Sequence, residues 1–402
     1  MTLPPAGGIH DEEEIEAVVH VLRTGNLEIG ESVAALEAAV AELLAKRHGV
    51  MVNSGSSALR LAIDLLDLSP GDEIVTSPLT FSTDIAPMVQ SGIVPVFVDV
   101  EPDSYQIDPA GIAEMVGPRT KAILVPNLCG NVPDWDAIRA VADDHGLAVV
   151  EDSCDVLDSW LRDERTGTRS DISVTSFARS HAMTAGGNGG LVGIDDDELH
   201  DRCLSLRRWG RRSESYLFGS RRDSGHPRFG ELADGTPYDM IFVFDSIGYN
   251  FEPSELGAAY GLVQLRKLDR FNGQRQANWR RLEDFFAARG AGAGVTTGRT
   301  TESARTTWMR FCFALDEDAP FSRTQAQEFL DERGIETRMV WTGNVLRQPG
   351  FAKIEHRAPS GGLPNCDRVM DRALSLPIHH GLDADHMGFV CEQLDALYER
   401  YS

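Results

Sequence analysis

Apolar positions along this chain follow two spacings, and the change from one to the other sets out the elements. Between residues 11 and 23 they recur at helical spacing, with Ile15, Val18, Val19 and Leu22 on one stripe, acids in the first turn and Gly25 just beyond the last. Acids suit the positive end of the helix dipole, and glycine accepts the left-handed conformation that closes a helix. A second helix is predicted over about residues 31–44. Short apolar runs then take over, at residues 50–52, 73–76, 94–98, 122–125, 148–150, 174–177 and 191–193, most of them separated by helical or turn-rich stretches. Strands that short and that largely apolar are expected to be buried on both faces. The pattern therefore predicts an α/β fold, a mostly parallel sheet with helices on both faces, and it shows no repeats or low-complexity linkers.

Composition narrows this picture only modestly. A chain of 402 residues can bury a large core and is expected to form a major domain over residues 1–270 and a smaller C-terminal α/β domain over 271–402. The net charge of −24 opposes binding to nucleic acid or an anionic membrane, since both need a basic face, and a solvated acidic surface accounts for it. The cysteines at 129, 154, 203, 312, 366 and 391 include no C-x-x-C pair, which suggests neither a disulfide framework nor a metal site. They read as reduced thiols of a cytoplasmic protein. The first residues lack a basic stretch followed by an apolar one, and no apolar run approaches the roughly 20 residues of a membrane span, so neither export nor membrane insertion is expected.

In sheets of this kind ligands collect at the carboxyl ends of the strands, and two polar clusters fall there. Asn53-Ser-Gly-Ser-Ser-Ala-Leu59 runs from a strand end into a helix. Its small residues allow backbone N–H groups to approach an anion at a helix N-terminus, although Ser-Gly-Ser is also an ordinary capping turn. In Val149-Val-Glu-Asp152-Ser-Cys-Asp155, acids follow a strand that should be buried. An aspartate there is costly unless it meets a positive partner, such as a protonated pyridine nitrogen, or serves as a helix cap.

Further stretches carry a resemblance over nearly the whole chain. They are Ser77-Pro-Leu-Thr-Phe81-Ser-Thr, Pro95-Val-Phe-Val-Asp99, Glu151-Asp152, Ser176-Phe177, Gly189-Gly190 and Gly248-Tyr-Asn250-Phe-Glu-Pro-Ser-Glu-Leu-Gly-Ala-Ala259. With the first cluster they resemble the sugar aminotransferase and dehydratase superfamily typified by DegT, DnrJ, EryC and StrS. That group has the type I fold of enzymes that use pyridoxal 5′-phosphate (PLP) or its amine form, pyridoxamine 5′-phosphate (PMP). Five residues after Ser176 such enzymes place the lysine that binds the cofactor covalently, and here His181 stands in its place. Lysines occur only at 46, 121, 267 and 353. A histidine cannot make that bond, but it can move protons near neutral pH. His181, Asn127-Leu-Cys-Gly-Asn131 and the run from Thr337 to Pro349 resemble the branch of NDP-4-keto-6-deoxyhexose 3-dehydratases.

The resemblance implies roles. Gly55, Ser56, Ser57 and Ser176 would hold the cofactor phosphate, Phe81 would stack on the ring, and Asp152 would pair with the ring nitrogen. Asp155, by its place in the second cluster rather than by the resemblance, would orient His181 or bind substrate. Asn250 would reach the neighbouring subunit's phosphate across a homodimer that shares its active sites. Arg338, Asn344 and Arg347 would contact the sugar or nucleotide, unless they are surface residues beside a turn. The implied reaction removes the C3 hydroxyl of the sugar with His181 as base, and an amino donor such as glutamate restores PMP.

Two departures matter. Residues 211–229, after Trp209-Gly210, contain no cysteine, where one branch carries thiolates for an iron–sulfur cluster, so no cluster is expected. Gly186-Gly-Asn188-Gly-Gly190 replaces the usual G-E-G-G, which leaves the pocket shape and substrate open. Two other readings stay open: the same chemistry on a sugar of a nucleoside or aminoglycoside antibiotic pathway, and a catalytically silent binding protein of this fold.

Overall fold

The computed structural model describes residues 2–225 and 227–401, which leaves His226 of the cysteine-free run outside the described residues. Asp11 caps the helix Glu12–Thr24 in a capping box with Glu14, and Gly25 closes it at φ 74°. The helix presents a different face to the core than its apolar stripe predicts. Glu14 and Val21 are buried, whereas Ile15 and Leu22 are 45% and 53% exposed. Glu14 is drawn inward by Lys267, whose Nζ lies 2.8 Å away, and by the Gln264 amide at 2.7 Å. Paired in this way, a buried carboxylate displaces the apolar stripe to the surface.

The central sheet contains β1 (His48–Val52), β2 (Glu73–Thr76), β3 (Val94–Phe97), β4 (Thr120–Pro126), β5 (Ala148–Asp152), β6 (Ile172–Ser176) and β7 (Gly190–Ile194). Each of the expected apolar runs is one of these strands. Their spatial order is β1-β7-β6-β5-β4-β2-β3. Only β7 is reversed, pairing antiparallel with both β1 and β6, while β6, β5, β4, β2 and β3 pair in parallel. Ile74, Leu124 and Val150 face the helices Gly55–Leu65 and Asp197–Arg207. Their neighbours Val75, Val125 and Val149 face Pro109–Met115 and Trp135–His145. Helices on both faces are thus the reason these strands carry no polar alternation.

Farther along the chain a second, antiparallel sheet forms from β8 (Val295–Thr297), β9 (Arg310–Leu315) and β10 (Ala373–Pro377). Leu268–Arg289, Arg323–Asp331 and Ala384–Tyr401 pack around it through residues such as Leu282, Phe286, Phe329 and Leu394. Trp279 stacks on Trp308 at 4.4 Å within this core. The sheet expected from the sequence, α/β and mostly parallel, is the one observed. Among the described residues no helix is long and apolar enough to cross a membrane.

Candidate active site

A cavity of about 280 Å³ opens where β4, β5 and β6 end and where the chain leaves β1. Its floor is the start of the helix Gly55–Leu65. The Ser54 hydroxyl accepts the Ser57 N–H at 3.1 Å, which leaves the first N–H groups of the helix facing the cavity beside Ser56 and Ser176. Gly55 is required by space, because a Cβ there would stand 2.6 Å from that of Ser176. Gly190 seals the same corner, where a Cβ would lie 2.5 Å from the Ser54 carbonyl, and Gly189 has φ 129°. The glycine-rich run therefore packs directly on the cradle, with Asn188 at the cavity wall. Ser57 does not line the cavity; its hydroxyl donates to Asn53 Oδ1 at 2.6 Å.

Asp152, the last residue of β5, enters the cavity wall with its Oδ1 accepting the Cys154 N–H at 2.8 Å. Burial, reinforced by the charge of Asp155, pushes its carboxyl above the ordinary value, against the hydrogen bonds of Cys154. Asp155 is fixed by two donors to Oδ2, the Cys129 N–H at 2.8 Å and the Trp341 indole at 2.9 Å. Its Oδ1 lies 3.5 Å from His181 Nδ1, a nitrogen that is buried and has no hydrogen-bond partner. With Nδ1 turned toward Asp155, the other ring nitrogen is the one left to work in the cavity. The backbone of the His181 turn is held from outside. Arg275, 1% exposed, donates to the carbonyls of His181 at 3.2 Å and Ala182 at 2.8 Å and meets His380 Nδ1 at 2.8 Å.

Phe81 forms the outer wall, edge-on to Trp341 at 5.4 Å. Arg338 lies in a neighbouring depression that shares Phe81 and Trp341 with the cavity. Asn344 is buried, donates to Asp367 at 3.0 Å and caps the turn at Leu346, while Arg347 pairs with Asp367 and Asp371 on the surface. Asn250 is exposed and lies outside the cavity. The structure thus brings His181, Asp152, Asp155, Gly55, Ser56, Phe81 and Ser176 together, and it places Ser57, Asn250, Arg338, Asn344 and Arg347 elsewhere.

Trp341 and Asp84 line the cavity and were not among the residues singled out from sequence. Asp84 is the acid in the first turn of the helix Ser82–Gln90. Trp341 carries one unusual signal, a positive φ of 45°, which only the fold reveals.

The cradle, the acid and the aromatic wall are the donor set that a phosphorylated, protonated aromatic ring requires, and none of the lysines lines the cavity. Residues 9–395 match the DegT/DnrJ/EryC1/StrS aminotransferase family. The chain belongs to this family. It is 34% identical to dTDP-4-dehydro-2,6-dideoxy-D-glucose 3-dehydratase of Saccharopolyspora spinosa, over 97% of this chain and 85% of that one. It is 29% identical to dTDP-3-amino-3,4,6-trideoxy-alpha-D-glucose transaminase of Streptomyces venezuelae, over 90% and 86%. Its fold superposes on that of E. coli GDP-4-keto-6-deoxy-D-mannose-3-dehydratase with bound hydrated PLP, at a TM-score of 0.86 and 27% identity, covering both chains fully (100%). The family therefore holds relatives named for dehydration and for transamination, and the chain is an enzyme of this sugar aminotransferase superfamily.

Proposed function

We propose that this family member is a PLP/PMP-dependent dehydratase that removes the C3 hydroxyl of an NDP-4-keto-6-deoxyhexose. The observation that carries the reading is His181, paired with Asp155 inside a cavity that no lysine enters. When bound, the cofactor supplies an amine for the sugar ketone and a ring that accepts an electron pair. Gly55, Ser56 and Ser176 bind its phosphate at the helix N-terminus, Asp152 keeps a proton on the ring nitrogen, and Phe81 covers the ring. His181 moves the proton at the cofactor's C4′ carbon, and Asp155 holds the imidazole for that transfer. A lysine at this position would hold PLP covalently and favour transamination, whereas a histidine leaves the cofactor free to exchange and favours elimination.

The sugar contacts fall to Arg338 and neighbouring residues at the outer wall, and glutamate serves as amino donor. The active unit is a homodimer, in which Asn250 serves the neighbouring site. Support for the dimer comes from apolar side chains left open on the first helix and along residues 209–250. The test is a panel of NDP-4-keto-6-deoxyhexoses incubated with the protein, PMP and glutamate. A 3-deoxy product is expected, with no PLP fixed to any lysine after borohydride reduction. Stoichiometric labelling of Lys46, Lys121, Lys267 or Lys353, or a purely aminated product, would overturn the reading.

A further inference from the structure

Asp84 lies on the helix Ser82–Gln90, lines the cavity and is 1% exposed. The Thr80 hydroxyl donates to its Oδ2, whereas its Oδ1 is buried with no hydrogen-bond partner. Asp152 stands within hydrogen-bonding reach, and the other titratable groups around the pair are Asp155 and the Cys154 thiol, with His181 on the same cavity wall. No arginine or lysine lines the cavity among the described residues.

Two carboxylates this close and this deeply buried, 1% and 7% exposed, cannot both ionise, so the pair keeps one proton. The hydrogen bonds decide which member holds it. Asp152 accepts a backbone N–H, which favours its anion. Asp84 has one hydroxyl donor and an unpaired oxygen, and that oxygen is satisfied once it becomes an O–H that donates to Asp152.

We propose that Asp84 is the protonated member of a carboxylic acid–carboxylate pair, and that it sets the single negative charge Asp152 presents to the ring nitrogen of the cofactor. The function rests on the reading of Asp152 given above. By donating to Asp152, Asp84 lowers its basicity, so the shared ring proton stays on the nitrogen. Asp84 is therefore a positioning residue for protons and touches no reacting atom.

The first test uses the protein without cofactor. Burial first, then the charge of Asp152, raise the Asp84 carboxyl well above its usual value of 3.8. A carboxyl raised in the folded state has no effect while it holds its proton, and it destabilises the fold as pH climbs from the unfolded value through the folded one. Measured against Asp84→Asn, which shares every other titrating group, wild-type thermal stability should therefore fall across that rise. Asp84→Asn and Asp152→Asn should each remove the fall, and the double variant should gain less than the two single gains combined. Additive gains, or a pH profile unchanged in Asp84→Asn, would overturn the pairing.

Should a variant fail to fold, infrared spectra of wild-type protein labelled with ¹³C-aspartate decide the matter. A protonated aspartic acid band at neutral pH supports the pair, and its absence sinks it. Calorimetric titration with PMP then separates the two layers of argument. Asp84→Asn should bind within a few-fold of wild type, and Asp152→Asn at least about 100-fold more weakly. Wild-type affinity in Asp152→Asn would remove the ring-nitrogen reading while leaving the pairing to stand on the apoprotein data.

Discussion

Around the cavity the chain's own atoms hold key polar groups in place, while along residues 209–250 apolar side chains stand in water. Asp155 is held by Cys129 and Trp341, Ser54 caps the cradle, and Arg275 ties down the His181 turn. In the other region Phe229 is 70% exposed and Ile247 97%, with Phe242 and Phe244 also open. Its hairpin, Phe229–Glu231 with Pro237–Asp239, packs few side chains inward. The contrast separates what the chain completes by itself from what it leaves uncovered, which is where the proposed homodimer would place its second copy. Catalytic geometry must be preorganised to be effective, so it is built on strand ends and helix starts. Exposed apolar area needs no such rigidity, and burying it would be favourable wherever a partner surface covers it.

The sharpest way to break this comparison is at His181. His181→Asn should bind PMP with near wild-type affinity and lose about 10² to 10⁴ in turnover, measured in a single-turnover assay with excess PMP. Near-wild-type turnover would show that another group moves the proton.

A smaller effect is expected at the cradle. Gly55→Ala pushes a methyl into Ser176 and should cost roughly 1–3 kcal/mol in overpacking, with a parallel loss of affinity for PMP and for inorganic phosphate. Unchanged melting and binding would mean that the corner is soft.

On the open segment, Ile247→Ser combined with Phe229→Ser should weaken self-association by about tenfold in sedimentation and leave the monomer's melting temperature nearly unchanged. A large drop in the melting temperature would place these residues in the chain's own core.

Acid acts through buried histidines rather than through either region directly. Burial first lowers His200 and His379 to about 4 and His380 to about 3, so they stay neutral in the fold. The unfolded chain takes up protons from about pH 6.5 downward, and the folded chain does so only near pH 4, so stability is full above this window and is lost as pH falls through it. The loss should be a few kcal/mol per histidine at most, roughly 1.4 kcal/mol for each pH unit by which the ring is lowered, and should disappear in part in His380→Phe. Because Arg275 links His380 to the His181 turn, hydrogen exchange should quicken at that turn before it changes along 209–250. Uniform quickening would erase the distinction between the regions.

Much of the fold was legible because burial on both faces writes short, largely apolar runs, and those runs became β1 to β7. Asp152 could be located for the same reason, since a polar residue following such a run stands out, whereas Ser176 was placed by the family resemblance. The face that the first helix buries could not be read, because Glu14 goes inward only where Lys267 and Gln264 receive it, some 250 residues away in sequence. Asn344 has the composition of a ligand contact, yet its amide is engaged by Asp367.

The amino-acid order by itself determined the α/β layering, the glycine and serine cradle, the acid at the end of β5 and the absence of a lysine beside the glycine-rich turn, since these depend on local spacing and residue chemistry. Tertiary structure alone decided that Trp341 would hold Asp155 across 186 residues, that Arg275 would grip the His181 turn across 94, and that Asp84 would face Asp152. Hydrogen bonds and charge–charge repulsion act over a few ångströms, so such partnerships exist only once packing has brought distant segments within that range.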